Sequence, residues 1–321
     1  MRAVYVTEAN PEQPLDALQV GDRPEPEPAE GWERVHVRAA ALNHHDVWSL
    51  RGVGLPPERM PMILGTDAAG VTDDGREVVV HAVIPTDGWQ GDETLDPKRT
   101  LLSELHQGTL AEQVIVPRRN LVDKPHELSF EEAACLPTAF LTAYRMLTHD
   151  SGLSAGDTVL IQGASGGVVS AATVLGKALG LRVWVTGSTE AKRDAALARG
   201  ADAAFEPGDR LPEKVDAVVE TVGEATWKHS LRALRSGGTI VCCGATSGPN
   251  PPAELNRVFF QQLRIVGSTM GTRDELDAML ALVAEHGVHP PVDRVLPLTD
   301  AREGFAAMID GELDGKIVFR P

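Results

Sequence analysis

Cysteine and positive charge are both scarce in this sequence. Its 321 residues include three cysteines, Cys135, Cys242 and Cys243. An odd count with two adjacent members is not the spacing of a disulfide framework. Lys and Arg number 30 against 46 Asp and Glu, which gives a formal net charge of −16. A chain this acidic repels nucleic acid and anionic membranes, so we expect neither as a partner.

Long hydrophobic runs are missing as well. The N-terminus has no apolar core of the kind that marks a signal peptide. The longest apolar region, residues 158–185, is interrupted by Gly, Ser, Gln and Lys and is not a membrane span. We therefore expect a cytoplasmic protein. Hydrophobic residues still make up 42 % of the chain, and its length suits one large or two medium domains.

Two patterns divide the chain. Residues 1–120 contain short strand-like segments between Pro and Gly turns, which indicates an irregular antiparallel domain. After about residue 130, a helical segment that begins with the capping pair Ser129 and Glu132 is followed by alternating apolar strands and helices. This alternation predicts a parallel sheet covered on both faces, an α/β arrangement. The predicted strands are residues 158–162, 182–186, 203–205, 216–220, 239–243 and 263–267.

A glycine-rich turn follows the first of these strands, and a helix is predicted from Gly166 to about Leu179. Backbone N–H groups at such a helix N-terminus can hold a pyrophosphate, and glycine lets the backbone approach it. The turn alone also fits a plain strand-to-helix connection, but the strands that follow favour dinucleotide binding. The loop departs from G-x-G-x-x-G, with Ala164 at the first position and Val169 at the last. The bulk of Val169 is expected to hold the helix slightly farther from the strand.

The end of the second strand indicates the type of dinucleotide. NAD-binding folds usually place an acid there to bind the ribose 2′-hydroxyl. Here Thr186, Gly187 and Ser188 occupy this place, and Lys192 and Arg193 follow. A small, neutral strand end near cations suits the 2′-phosphate of NADPH, although the two cations could also form a solvated helix face. The missing acid is the stronger part of the argument.

The stretch ALNHHDVW, residues 41–48, places His44, His45 and Asp46 side by side in the manner of a metal site. Consecutive residues of an extended chain point to opposite faces, so His44 and His45 are not expected to bind one ion. A metal would require His45 with a distant partner such as Asp67. The alternatives are a solvent-facing or interdomain His44 and a structural Asp46.

Five motifs together resemble those of the medium-chain dehydrogenase/reductase superfamily: ALNHHDVW, ILGTDAAGV, LPTAFLTAYRML, GASGGV and FFQQLRIVGSTMGTRDEL. The similarity covers nearly the whole chain. It is strongest to the zinc-free quinone oxidoreductase-like branch and its relatives among the zinc-binding alcohol dehydrogenases. The resemblance implies a doubly wound Rossmann domain, residues 123–267, inserted in a GroES-like mainly-β catalytic domain, residues 1–122 and 268–321.

The resemblance also argues against zinc. The three ligand positions of the zinc-dependent members correspond to Asn43, Thr66 and Thr138, none of which is a good zinc ligand. The four-cysteine lobe of such members corresponds to residues from about 85 to 115, where this sequence has no cysteine. We therefore expect no bound metal. Without a Lewis acid, the oxidation of an alcohol loses its main driver.

The remaining chemistry is hydride transfer from NADPH to an electrophilic carbon of a quinone or an α,β-unsaturated carbonyl compound. By resemblance, Asn43 lies beside the nicotinamide ribose, and His45 and Trp48 line the substrate pocket. His45 is either a general acid or a polar wall residue. Trp48 either meets a planar substrate or packs in the core. Arg273 contacts an anionic substrate group or a cofactor phosphate, unless it pairs with Asp277 on the helix surface.

The resemblance implies a wider set of cofactor contacts. These are Asn43, Thr142, Ala164, Ser165, Gly166, Gly167, Val168, Gly187, Ser188, Lys192, Val222, Gly244, Ser268, Thr269 and Met270, with Lys316 as a weaker candidate. Relatives often place a Tyr near the 2′-phosphate after the third strand, where this chain has Glu206 and Pro207. An inward-pointing Glu206 would repel the phosphate. The edge strand 263–269 is expected to join two copies into a homodimer.

Three functions therefore compete. The leading prediction is an NADPH-dependent reductase of quinones or activated alkenes. The second is an enoyl-thioester reductase, because such domains share the Asn-x-x-Asp feature seen in Asn43 and Asp46. The third is a non-enzymatic NADPH-binding protein. The sequence alone does not separate them.

Overall fold

The computed structural model describes residues 1–311 and 313–321, which divide into two compact units. The first unit comprises Met1–Ala139, Thr272–Ala284 and His289–Pro321, and the second comprises Phe140–Gly271 and Glu285–Val288. The N-terminal part of the first unit contains β1 (Arg2–Val6), α1 (Pro14–Ala17), β2 (Leu18–Asp22), β3 (Trp32–Ala41), α2 (His44–Leu50), β4 (Met62–Ile63), β5 (Asp67–Thr72), β6 (Glu77–Val80), β7 (Val83–Ile84), β8 (Thr100–Leu101), β9 (Gln113–Pro117), β10 (Leu121–Asp123) and α3 (Phe130–Ala134).

The remaining elements belong to the second unit and to the return of the chain into the first. The second unit contains α4 (Leu141–Arg145), β11 (Thr158–Ile161), α5 (Gly167–Ala178), β12 (Arg182–Thr186), α6 (Glu190–Ala198), β13 (Ala203–Phe205), β14 (Val215–Glu220), α7 (Glu224–Ala233), β15 (Leu234–Cys242), α8 (Leu255–Phe260) and β16 (Arg264–Gly267). The return consists of α9 (Arg273–His286), β17 (Val292–Pro297), α10 (Ala301–Asp310) and β18 (Lys316–Arg320). No helix in these described ranges is long and apolar enough to cross a membrane.

The main sheet of the first unit brings distant parts of the chain together. Its strand order is β10-β6-β5-β3-β18-β17, and β9 also pairs with β3. Both β5 and β18 run antiparallel to β3, and Ala41 at the end of β3 is opposite both Asp67 and Val318. Asp67 is the first residue of β5 and Lys316 is the first residue of β18. Both strands pair with β3, so the sheet brings these two charged residues close together. Apolar side chains such as Phe305 and Phe319 fill the core behind them.

The second unit contains a six-stranded sheet with the order β13-β12-β11-β14-β15-β16. Every pairing in it is parallel. All four residues of β11 are buried, as expected for a strand with helices on both faces. The chain leaves β11 in one direction for β12 and later returns to its other side with β14, which creates the switch point at which such sheets bind ligands. The doubly wound α/β prediction for this part of the chain is confirmed.

The long helix predicted after Ser129 is interrupted. The capping pair forms, because the Ser129 backbone N–H donates to Glu132 Oε2 over 2.9 Å. However, α3 ends at Ala134 and a π-helical turn, Leu136–Phe140, separates it from α4. Pro137 lies in this turn and lacks the N–H that a regular helix requires, which accounts for the break.

The boundaries between the units lie later in the chain than the sequence predicted. The predicted boundaries were after residues 122 and 267, whereas the first unit extends to Ala139 and resumes at Thr272. The shift at the first boundary has a clear reason. Helix α3 packs against β3 and β5 and therefore belongs to the first unit.

Candidate active site

The histidine-rich stretch forms the start of a helix. Strand β3 ends at Ala41, and Asn43 is the N-cap of α2. The premise that His44 and His45 lie on an extended chain was therefore wrong, although successive helical residues also diverge, by about 100°. Asp46 is fully buried and accepts hydrogen bonds from the backbone N–H groups of Asn43, over 2.9 Å, and Gly65, over 2.8 Å. This carboxylate holds the loop before β5 against the start of α2, which is the structural role predicted for it.

A buried ammonium group lies beside Asn43. Lys316, 3 % exposed, donates from Nζ to the carbonyl oxygen of Leu42 over 2.8 Å and to Asn43 Oδ1 over 2.5 Å. Its third neighbour is Asp67 Oδ2, at 3.3 Å. Asp67 is itself fully buried, and its Oδ1 has no hydrogen-bond partner among the described residues. The ion pair between Lys316 and Asp67 is thus closed off from water.

Two threonine hydroxyls extend this arrangement. Asn43 Nδ2 donates to Thr66 Oγ1 over 3.1 Å, and Thr66 Oγ1 is 3.0 Å from Thr138 Oγ1. Lys316 can only donate, so the amide oxygen of Asn43 must face it and the amide nitrogen must face Thr66. Together, Lys316, Asp67, Asn43, Thr66 and Thr138 are called the lysine cluster below.

The lysine cluster occupies the positions at which the resemblance placed zinc ligands, and it does not fit zinc. Protein zinc ligands are thiolates, imidazoles and carboxylates. Asn43, Thr66 and Thr138 offer an amide and two hydroxyls, and the neighbouring ammonium of Lys316 would repel a cation. The described side chains include no group of three or more His, Cys, Asp and Glu that could hold a metal ion.

His45 points to a different partner from the one a metal site would need. Its Nε2 is 3.3 Å from Glu104 Oε1, and its Nδ1 is 3.5 Å from Ser103 Oγ. Burial alone would lower the pKa of His45, but the hydrogen bond to Glu104 and the charges of Asp46, Glu104 and Asp67 together raise it. His45 therefore carries a proton to higher pH than an ordinary histidine. Glu104 was not predicted from the sequence, because it lies 59 positions away.

Trp48 lies on the surface of α2. Its side chain is 40 % exposed, which excludes the core-packing alternative. The guanidinium carbon of Arg51 lies 5.3 Å from the centre of the indole ring. The cation thus lies over the indole ring, and the side chain is still partly open to solvent. Its role in substrate binding remains a prediction.

Arg273 does not form the surface pair with Asp277 that was the alternative to a substrate or cofactor contact. Its Nη1 is 3.4 Å from Asp274 Oδ1, and its backbone N–H donates to Glu93 Oε1 over 2.5 Å. The residue begins α9 and lines a small cavity of about 180 Å³. The other residues that line it are His81, Val83, Pro85, Trp89, Gly91, Glu93, Arg119, Asn120 and Asp274.

The predicted cofactor residues of the second unit gather at one edge of its sheet. Apart from Thr142, which lies in α4, they follow the carboxyl ends of β11, β12, β14, β15 and β16, and these strands are parallel. In the glycine loop, Gly166 has a φ of +97°, and a Cβ placed there would meet nothing within 4 Å. Helix α5 begins at the next residue. The loop thus has the open backbone and the helix N-terminus that a pyrophosphate requires.

Val169 is buried within α5, and its Cγ2 lies 3.5 Å from where a Cβ of Gly163 would be. A methyl group at Gly163 would thus make only ordinary van der Waals contact with Val169, so the valine does not crowd the start of the loop.

The end of β12 differs in one respect from the prediction. Arg193, rather than Lys192, folds over it and donates from Nη1 to the carbonyl oxygen of Gly187 over 2.7 Å. A Cβ on Gly187 would lie 2.8 Å from Arg193 Cγ, so the glycine makes this approach possible. Glu206, which could have repelled a phosphate, is 3.3 Å from Arg193 Nη2 and largely exposed. Arg199, also not predicted, donates to the carbonyl oxygen of Ala164 in the glycine loop.

Ser268, another predicted cofactor residue, has a buried hydroxyl group without a hydrogen-bond partner among the described residues. Its backbone N–H donates to Cys242 over 2.9 Å. Buried polar atoms are rarely left without a partner unless a ligand or water supplies one. A dinucleotide at this sheet edge would provide one. Val222 also lies here, but its N–H already donates to the buried carboxylate of Glu220.

Two family models match the chain, one in its N-terminal part and one in its central part. Residues 29–126 match an alcohol dehydrogenase GroES-like domain, and residues 167–285 match a zinc-binding dehydrogenase domain. The chain is similar to a solved structure of an NAD-dependent alcohol dehydrogenase, with 36 % identity, complete coverage of both chains and a TM-score of 0.93.

Two further similarities are to reductases whose names include a coenzyme A derivative. Acryloyl-coenzyme A reductase of Metallosphaera sedula is 29 % identical over 94 % of this chain and 95 % of its own length. The 2-octenoyl-CoA carboxylase reductase CinF, solved in complex with NADP and 2-octenoyl-CoA, is 26 % identical. That alignment covers 99 % of this chain and 87 % of CinF, with a TM-score of 0.89.

A GroES-like unit joined to a Rossmann-type unit, with a dinucleotide loop in the latter, defines a nicotinamide-dependent oxidoreductase. The chain belongs to the medium-chain dehydrogenase/reductase superfamily. The prediction of this superfamily is confirmed. The predicted combination of a GroES-like fold with a Rossmann fold is confirmed as well.

Proposed function

We propose that the protein is an NADPH-dependent reductase of α,β-unsaturated thioesters. The lysine cluster carries this proposal, because it places hydrogen-bond donors and a buried cation where zinc-dependent relatives ionise an alcohol. The similarity to an acryloyl-coenzyme A reductase over nearly the full length of both chains supports it. From the sequence, quinones and simple enones are the first predicted substrate class and enoyl thioesters are the second. The comparisons support the second substrate class and give no specific support to the first.

NADPH is the cofactor. When bound, it supplies the hydride. The open glycine loop, the absence of an acid after Thr186 and the guanidinium of Arg193 beside Gly187 suit a cofactor with a 2′-phosphate. A solved relative contains NADP together with an enoyl-CoA, which supports the same choice.

In the proposed reaction, the first unit supplies both a general acid and the hydrogen-bond donors. Hydride adds to the β-carbon of the thioester, and the displaced electron pair collects on the thioester oxygen. The α-carbon then takes up a proton. His45, with its raised pKa, is the residue we assign to donate it.

Alcohol oxidation is the second candidate, because a structurally similar protein is an NAD-dependent alcohol dehydrogenase. That reaction must remove a hydroxyl proton while hydride leaves the adjacent carbon. A zinc ion promotes this step by stabilising the alkoxide. The carboxylate in the lysine cluster, Asp67, is fully buried and paired with Lys316, and the cluster offers no ligand set for zinc, so thioester reduction is the better fit.

The test is a substrate comparison with purified protein. NADPH consumption should be rapid with acryloyl-CoA or crotonyl-CoA and should survive a chelator. Elemental analysis should show that the activity does not depend on the zinc content of the protein. A quinone, a simple enone, and ethanol or benzyl alcohol with NADP⁺ or NAD⁺ serve as comparison substrates. Robust alcohol oxidation without enoyl-CoA reduction would overturn the proposal. Binding of NADPH without turnover of any of these substrates would favour the non-enzymatic alternative.

Arg193→Ala is expected to weaken NADPH binding by about 10- to 150-fold and to leave NADH binding nearly unchanged. The range corresponds to about 1.5–3 kcal/mol for a hydrogen bond between charged groups. Lys192→Ala is the matched control, and the structure predicts a smaller effect because Arg193 holds the position at Gly187. Fluorescence titration with both cofactors measures the difference. A larger loss of NADPH affinity in Lys192→Ala than in Arg193→Ala would restore the assignment of Lys192 made from the sequence.

We also propose that β16 joins two copies of the chain. It is the last strand of its sheet, pairs only with β15 among the described strands, and exposes 45 % of Ile265. Helix α8 precedes it and exposes Phe259 and Phe260. An apolar edge of this kind must be paired or covered. Light scattering should give twice the monomer mass for the wild type and a monomer for Ile265→Lys.

The other large sheet supplies the control for this experiment. Val295 is 40 % exposed on β17, which is also an edge strand. Val295→Lys should leave the mass unchanged. A monomeric wild type at micromolar concentration would contradict the dimer.

A further inference from the structure

The lysine cluster is a directed chain of hydrogen bonds that ends in an unused donor. Its first two directions follow from chemistry alone. Lys316 has only protons to give, so it donates to Asn43 Oδ1, and the amide of Asn43 in turn donates from Nδ2 to Thr66 Oγ1. Thr66 Oγ1 therefore accepts a hydrogen bond from Asn43, and its own hydroxyl proton still needs an acceptor.

Burial fixes the third direction. Thr66 and Thr138 are 3.0 Å apart, and either hydroxyl could donate to the other. Thr66 is 1 % exposed and has no other acceptor for its proton within the described part of the chain. If Thr138 donated instead, the Thr66 proton would be buried without a partner, which is costly. Thr138 is only partly buried. Thr66 therefore donates to Thr138, and the Thr138 proton is left over.

We propose that the Thr138 hydroxyl is the hydrogen-bond donor to the carbonyl oxygen of the thioester. Lys316, Asn43 and Thr66 are positioning residues that hold it in this role. This inference rests on the proposed function and names the group that would bind the reacting oxygen. The Thr138 oxygen accepts from Thr66, which directs its own proton away from the cluster.

The effect of the chain is mainly geometric. Each bond in such a chain strengthens the next by about 10–30 %, so the ammonium of Lys316 polarises the Thr138 hydroxyl only modestly across three bonds. The larger contribution is a donor whose orientation is set before the substrate arrives. Preorganised donors of this kind stabilise the oxygen on which charge develops without reorganising during the reaction.

The electron count of the step is complete. A new C–H bond forms at the β-carbon from the hydride, and the cofactor is oxidised. The π pair of the C=C bond moves between the α-carbon and the carbonyl carbon, and the carbonyl π pair moves to the oxygen, which becomes an enolate. Thr138 stabilises this oxygen and keeps its proton. The carbonyl then re-forms as the α-carbon accepts a proton from His45, which later recovers one from solvent.

Thr138→Val tests the proposal, with Thr138→Ser as the conservative variant. Valine keeps the shape of the side chain and removes the hydroxyl. We expect kcat for acryloyl-CoA to fall by about 10²-fold, the scale for losing one such donor, while NADPH affinity is unchanged. Serine should rescue most of the loss. Thr138→Ala provides a second hydroxyl-free variant if the valine protein does not fold.

An infrared measurement gives a readout that does not depend on turnover. The probe is propionyl-CoA labelled with ¹³C at the carbonyl carbon, bound with NADP⁺. In the wild type and in Thr138→Ser, a hydrogen bond from the hydroxyl should shift the carbonyl stretch to lower frequency. Thr138→Val should lose this shift. An unshifted wild-type band would overturn the assignment of Thr138.

Thr66→Val examines the chain itself. This variant interrupts the path between Asn43 and Thr138 without removing a charge. It should lower kcat several-fold with little change in KM. Combined with Thr138→Val it should add no further loss, because both act through one hydroxyl. Additive losses would contradict the chain.

The results separate this proposal from the proposed function. A wild-type protein that reduces no enoyl thioester would overturn both. An active wild type with an equally active Thr138→Val would overturn only the role of Thr138.

Discussion

His45→Phe is expected to slow the reduction of an enoyl thioester by about 10²- to 10⁴-fold, the range for losing a general acid. Phenylalanine fills a similar volume and offers no proton. In the protonated histidine, Nε2–H is engaged with Glu104 Oε1 at 3.3 Å, while Nδ1–H has only a long contact of 3.5 Å with Ser103 Oγ. Nδ1 is therefore the nitrogen free to give its proton to a substrate.

The pH dependence of kcat provides a second measurement on the same residue. A general acid acts only in its protonated form, so the rate should fall as the pH rises through the raised pKa of His45. Glu104→Gln removes the partner whose hydrogen bond and charge raise that pKa. The alkaline limb should then move to lower pH. In His45→Phe, this limb should disappear from the residual activity.

The NADPH affinity is the control for both variants and should remain at the wild-type value. A His45→Phe enzyme within about threefold of the wild type would show that solvent supplies the proton. The substrate class would then stand, and His45 would be reduced to a polar wall residue.

Lys316→Met is expected to destabilise the protein by about 3–5 kcal/mol, because it leaves the carboxylate of Asp67 buried without its partner. Both side chains are shielded from water, at 3 % and 0 % exposure. The carboxylate has no alternative donor at Oδ1 among the described residues. The free energy of unfolding in urea measures this loss.

Two controls separate the buried pair from general effects of charge removal. Arg76 pairs with Asp123 over 2.9 Å, but both side chains are exposed. Arg76→Met should therefore cost at most about 1 kcal/mol. Lys316→Met combined with Asp67→Leu should recover much of the stability, because it removes the isolated charge. If Lys316→Met is no more harmful than Arg76→Met, the pair is hydrated and the lysine cluster is less closed than its geometry indicates.

The sequence was sufficient for the sheet of the second unit. Strands 182–186 and 203–205 match β12 and β13 as the structure has them, because continuous apolar runs between glycine turns leave little choice of element. The break at Pro137 was missed, since its apolar neighbours keep a helical period through a π-helical turn. Lys192 stays a prediction as the phosphate contact; helical periodicity does not show which of two adjacent cations turns toward the strand end, and the structure places Arg193 beside Gly187.

The lysine cluster could be predicted only in part. The positions of Asn43, Thr66 and Thr138 came from the resemblance, but each appeared only as a missing zinc ligand. Their chain of hydrogen bonds begins at Lys316, which donates to Asn43, lies 249 positions from its ion-pair partner Asp67 and was a weak candidate for cofactor binding. Nothing in the local sequence marks a lysine as the centre of a buried network. Its role follows from β18 lying directly beside β3 in the sheet.

That placement of β18 also determines the order in which the protein can be assembled during synthesis. The second unit is built almost entirely from the continuous stretch Phe140–Gly271, so it can fold while later residues are still being added. The sheet of the first unit cannot, since β18 fills an interior position between β3 and β17. Until Lys316 emerges, Asp67 has to remain hydrated at an open sheet. The half of the protein that is translated first is therefore the half that is completed last.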